Sequence, residues 1–196
     1  MTPSIPIHAQ IAAIVPCYSS SGDSTTIFSI NGSATILSSR VRAVIQRLAK
    51  SRAVDLTALR SQVRALTERT NLEPLPLAPG LVLVPVKVRQ PRIAGDPTTG
   101  YINFYAVDTI CPNTNKPYQT TIMLSGKTEI PVLWTTATVN RQLALARLAA
   151  HTAPTTQPPA ASILRESFPG YEPELLTLAV KLIDIFQDIL SSKQRQ

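Results

Sequence analysis

Between Ser38 and Thr70 the chain places eight basic side chains, Arg40, Arg42, Arg47, Lys50, Arg52, Arg60, Arg64 and Arg69, against only Asp55 and Glu68. This one segment holds +6 of the net charge of +7. Guanidinium and ammonium groups concentrated in this way neutralise phosphates and release counterions, so they form the electrostatic footprint of a nucleic-acid binder. A second basic group, Lys87, Arg89 and Arg92, stands at the start of a Pro/Gly-rich loop, Gln90–Gly100. A two-stranded ribbon carrying such a loop is of a size to enter a duplex groove. Asn103, Asn113, Asn115 and Asn140 add amides that suit base edges or phosphates. Any one of these residues alone is an ordinary solvated side chain. The clustering is what carries the reading.

Catalytic patterns are missing from the same sequence. There is no Gly-rich phosphate loop, no HExxH and no Ser–His–Asp-like run. Asp96 and Asp108 read as turn-forming residues without an acid/base partner. Cys17 and Cys111 are far apart and His8 and His151 are the only histidines, so neither a metal nor another cofactor is expected. The first residues have no basic stretch, and the apolar run Ile11–Val15 is too short for a signal peptide. No stretch approaches the roughly 18 apolar residues of a membrane span. A cytoplasmic, non-enzymatic binding protein is the expectation. A basic surface also suits an anionic membrane, but Asp184 and Asp188 on the last predicted helix speak against that partner.

The elements that must position these groups follow from periodicity. The 196 residues, 44% of them hydrophobic, suffice for a real core. Gln10–Val15 reads as a short strand stopped by Pro16, and Ser19–Ser24 as a turn or flexible loop. Thr25–Ile30 and Ser33–Leu37 form a hairpin around Asn31-Gly32, the strongest short hairpin signal in the chain. Val41, Val44, Ile45 and Leu48 then make one helical stripe over Arg40–Ser51, capped by Ser38 or Ser39. Asp55 caps a second helix with Leu56, Leu59, Val63 and Leu66 on its apolar side, which ends before a Pro-rich connection.

Next come strands over Leu81–Arg89 and Tyr101–Val107. The first sets Val82, Val84, Val86 and Val88 on one face and Leu81, Leu83, Pro85, Lys87 and Arg89 on the other. Asp108–Pro117 reads as a loop, followed by strands Thr120–Leu124 and Lys127–Trp134 about a turn at Ser125-Gly126. A helix over Val139–His151 follows, capped by Thr136 or Thr138, with Val139, Leu143, Ala146 and Ala150 inward. Residues 152–171 read as a Pro-rich linker, and 172–196 as a long amphipathic helix fit either to fold back or to pair with a second copy.

The order of these elements resembles that of the ComK-type competence transcription regulators. The likeness covers roughly residues 10–150 and rests on the strand ending in Pro-x-x-x-Arg (LVLVPVKVRQP), the strand GYIN, the hairpin IMLSGKTEIPV and the helix TTATVNRQLALAR. It implies a transcription activator that binds AT-rich promoter boxes largely through the minor groove, as an oligomer. Carried onto this chain, it marks Arg89, Asn103, Asn140 and Arg141 as side chains fit to touch DNA, with Gly100 and Gly126 as turn glycines.

The sequence therefore predicts an α+β domain over 1–151. Antiparallel hairpins carry a helical pair after the first hairpin and a helix after the last, and residues 172–196 add a C-terminal helix. The expected partner is double-stranded DNA, met through Arg40, Arg42, Arg47, Lys50, Arg52, Lys87, Arg89, Arg92, Asn103, Asn140 and Arg141, with the terminal helix forming a dimer. The competing reading is an adaptor that docks an acidic protein through that helix. RNA binding is disfavoured because the strands lack an aromatic stacking platform.

Overall fold

A computed structural model describes residues 10–20, 22–68, 70–151 and 153. The expected linker and terminal helix lie outside these residues. The described residues follow in the order β1 Ile11–Ser19, β2 Gly22–Ser29, β3 Ala34–Leu37, α1 Val41–Ser51, α2 Leu56–Thr67, β4 Leu75–Ala78, β5 Leu81–Lys87, β6 Thr99–Asn103, a 3-10 turn at Phe104–Ala106, β7 Val107–Pro112, β8 Thr120–Leu124, β9 Thr128–Val132 and α3 Thr136–Ala150. The strands form a six-stranded antiparallel sheet, ordered β3-β2-β1-β6-β5-β4, and a three-stranded sheet, β7-β8-β9. This is the α+β arrangement of hairpins and helices that the sequence predicts.

The period of two along β5 fixes the layers. Leu81 and Leu83 enter a core with Ile11, Ile14, Ile27 and the buried stripe of α1, Val41, Val44, Ile45 and Leu48. Val82 and Val84 turn the other way, onto Ala146 of α3, while Val86 and Val88 meet Ile122, Leu124, Ile130 and Val132 of the small sheet. The six-stranded sheet is thus covered by α1 on one face and by α3 with the small sheet on the other. Continuous burial along Leu81–Val86 follows from having both faces covered.

Several boundaries differ from the sequence expectation, each for a physical reason. Pro16 does not stop β1, which runs to Ser19 in register with β2. Among the described residues β6 pairs β1 at Ala13 and Ile14 and no strand pairs β1 on that side at Pro16, where the missing N–H removes no ladder bond. Of the turn or loop expected at Ser19–Ser24 the structure has the turn, and a tighter one, since Ser19 already faces Gly22. The Pro-rich connection contains a strand, β4, at the sheet edge, where Pro76 is tolerated and Leu75, Leu77 and Ala78 are buried. The expected strand Tyr101–Val107 breaks at Asn103 into the 3-10 turn, and the expected loop Asp108–Pro117 begins as β7.

The helix caps also shift. Arg40 is the N-cap residue of α1 and makes no side-chain cap bond, leaving Ser38 and Ser39 outside the role. Thr135, not Thr136 or Thr138, caps α3 by accepting from the Thr138 amide. Inward residues of α3 are Val139, Gln142, Ala146 and Ala149, with Leu143 partly buried. Asp55 caps α2 as expected, through the amides of Thr57 and Ala58. Leu66, placed on the apolar side of α2 by periodicity, is 46% exposed. Among the described residues no helix is long and apolar enough to cross a membrane.

Candidate nucleic-acid interface

The loop after β5 is a built structure, and Tyr18 organises it. At the far end of β1, the Tyr18 hydroxyl donates to Asp96 Oδ2 at 2.5 Å and accepts from the Arg92 amide at 3.1 Å. Asp96 Oδ2 also accepts from the amides of Arg92 and Ile93, both at 3.1 Å. Guanidinium groups lie over the Tyr18 ring, Arg89 at 3.9 Å and Arg92 at 4.3 Å from its centroid. Cation–π attraction and hydrogen bonding hold the turn Arg92–Asp96 against the strand. The Tyr18 hydroxyl, the Ile93 and Arg92 amides and the nearby Arg89 charge together hold the Asp96 carboxyl below the usual carboxylate range.

Arg89 is the post of this loop and does not point to a partner. It is 9% exposed, donates from Nε to the Pro97 carbonyl at 2.7 Å, and donates from Nη2 to Asp23 Oδ1 at 2.6 Å. Asp23 faces Tyr18 across the β1–β2 ladder, so the ion pair ties the first hairpin to both legs of the loop. Asp23 further lies 3.9 Å from Arg40 at the start of α1. The expectation that Arg89 touches DNA is corrected by this geometry: its charge is matched by Asp23 and its plane is stacked.

Asn103 is corrected more sharply. It is 0% exposed. Its amide nitrogen donates to the carbonyls of Ile11 and Gly80, and its oxygen accepts from the amides of Val82 and Tyr105. The side chain closes the end of β6 and starts the 3-10 turn, and no polar position of it is left for a base. Arg52 is half-buried in the turn after α1, with its backbone N–H on the Ala49 and Lys50 carbonyls. Asn140 and Arg141 are exposed, but they ride on α3, across the central sheet from α1, and are not gathered with the other basic groups.

What the structure does bring together is Arg40, Arg42, Arg47 and Lys50, all exposed along α1, with Lys87 and Arg92 exposed at the neighbouring loop. No carboxylate interrupts α1. At the loop tip Ile93 is 73% exposed beside Arg92. Between α1, the start of α2 and residues 96–99 runs a groove of about 660 Å³, lined by Val41, Arg42, Ile45, Leu56, Arg60 and Tyr101 among others. Tyr18, Asp23 and Asp96 build this region; Asp96, read as turn-forming, does close the Arg92–Asp96 turn, while sequence reasoning missed Tyr18 and Asp23. Tyr18 and Asp96 are separated by 78 positions, which no local pattern reveals. Comparison of the chain with protein-family models, with curated proteins and with solved structures finds no match.

Proposed function

We propose that this chain is a sequence-specific double-stranded DNA-binding transcription regulator of the ComK-like kind, acting as a non-enzymatic activator in the cytoplasm. One observation supports it above the rest: the exposed cations of α1, Arg42, Arg47 and Lys50, which no carboxylate of that helix opposes, stand with Lys87 at the end of β5 and Arg92 on a loop pinned by Tyr18 and Asp96. Phosphate neutralisation by the row supplies affinity and register. The pinned tip, with Arg92 and Ile93 side by side, is the part fit to read a groove, because its backbone is already ordered before contact. Pairing of two chains through residues 172–196 belongs to the same proposal.

Selection of bound fragments from random genomic duplex over a range of salt concentrations tests it. A shared motif among fragments retained at moderate salt is the expected result. Uniform binding that vanishes with salt overturns the regulator reading. Lys87→Ala with Arg92→Ala weakens binding to the selected site by about tenfold or more, two lost cation contacts being of that order, with an unchanged fold. Leu182→Glu with Phe186→Glu returns the chain to a monomer in sedimentation if residues 172–196 pair two copies.

A further inference from the structure

The groove between α1 and α2 has a chemistry of its own. Two guanidinium groups, Arg42 from α1 and Arg60 from α2, line it, and neither has an ion-pair partner among the described residues. From β6 comes Tyr101, whose hydroxyl likewise has no hydrogen-bond partner among the described residues. Burial, with the Glu73 carboxylate adding to it, holds that phenol above its ordinary range, and Arg60 pulls against the shift. Thr57, Thr98 and Thr99 add hydroxyls and Gln46 an amide. The one carboxylate at the rim, Asp96, is already engaged by the Tyr18 hydroxyl and two backbone amides. Donors without partners line the groove, and Glu73, the other carboxylate felt by Tyr101, is already paired with Arg64.

The floor is apolar. Val41 and Ile45 of α1 and Leu56 of α2 line it together with Tyr101. A bare inorganic anion would leave that floor unused, and a purely apolar ligand would leave two arginines without a counter-charge. At about 660 Å³ the groove falls in the usual range for small-molecule sites, which pair apolar walls with a few placed polar groups. We infer that this groove binds a small organic phosphate of nucleoside-monophosphate size, with the phosphate on Arg42 and Arg60 and the planar body over Val41, Ile45 and Tyr101. The site stands apart from the duplex reading: it needs no DNA, and it shares with the DNA surface only Arg42 and the rim of the loop. Occupancy would set the spacing of α1, which bears the cation row, against the loop that bears Arg92.

Calorimetric titration of the full chain with adenosine 5′-monophosphate, inorganic phosphate and adenosine, without DNA, tests it. The monophosphate binds saturably with a Kd of about 1 mM or tighter, and each half alone binds about tenfold more weakly, because the head and the body contribute separately. Arg42→Gln with Arg60→Gln lowers the monophosphate affinity about tenfold or more, and Tyr101→Phe lowers it about threefold, as expected for lost charged and neutral hydrogen bonds. Amide resonances of Thr57, Thr98 and Thr99 shift on titration. The inference is overturned if the monophosphate does not saturate, if inorganic phosphate binds as tightly, or if the double variant binds like the parent. Loss of duplex binding in the separate selection leaves these readings untouched.

Discussion

At the scale of single residues, the polar groups that look most available for binding in the sequence are those the fold uses for itself. Arg89 faces Asp23 with both side chains about nine-tenths buried, so removing one partner leaves the other charge buried and unmatched. Arg89→Ala therefore destabilises the protein by about 3 kcal/mol or more, seen as a lower denaturant midpoint. Asn103→Ala strands the buried Ile11 carbonyl and Val82 amide and costs a similar ~3 kcal/mol, whereas a DNA-contact residue would leave stability unchanged. Asp96 gives a pH signature. Its carboxyl is lowered in the folded chain, so the loop bonds it accepts are present above the unfolded value and lost as pH falls through the folded one. The Arg92 and Ile93 amide resonances should hold steady down to about pH 4 and then move together on further acidification. Asp96→Asn should abolish that transition.

At the scale of elements, what was legible in the sequence is what is local. The Asn31-Gly32 hairpin, the α1 stripe, the Asp55 cap and the alternation of β5 all follow from contacts within a few positions, and the structure has each of them. β4 was hidden by Pro74, Pro76 and Pro79, since prolines in a strand are admissible only at an edge and edges are a property of the whole sheet. Arg89 was misjudged for the same reason: its environment is made by Asp23, 66 positions away. Glycine positions separate in the same manner. Gly126 has φ +92, and a side chain there would meet the Ile30 carbonyl at 2.3 Å, where the β2–β3 turn touches the β8–β9 turn. Gly95 has a similar φ, +94, but open space around it. Gly126→Ala should lower thermal stability clearly more than Gly95→Ala, because the first adds a clash between backbones to the strain that both share.

At the scale of the molecule, the described cations divide between the two faces of the central sheet. Cations along α1 and at the loop lie on one face of the central sheet, while Asn140 and Arg141 lie across it on α3. A duplex on the α1 face would meet one set and leave the other in solvent. Arg42→Ala, Arg47→Ala and Lys50→Ala combined should therefore reduce the slope of log affinity against log salt by about 2 to 3 for a duplex. Arg141→Ala should leave the slope as it is. An equal loss from both would mean that the duplex wraps the domain.

Among the described residues β1 has no strand on one side beyond Ile14, and there Tyr18 carries the pinned turn that leans on it. An open strand flank is a template on which another chain can add, and proteins that leave one bare tend to aggregate. Here the missing N–H of Pro16 interrupts the template and the turn shields the rest. The loop proposed to meet DNA is therefore also a guard against self-association. Replacing residues 91–96 by a two-residue turn should give a chain that still folds its core but forms strand-paired aggregates, visible by light scattering at concentrations where the parent stays clear. Whatever other sequence changes this loop undergoes, they are confined to those that keep the flank of β1 covered.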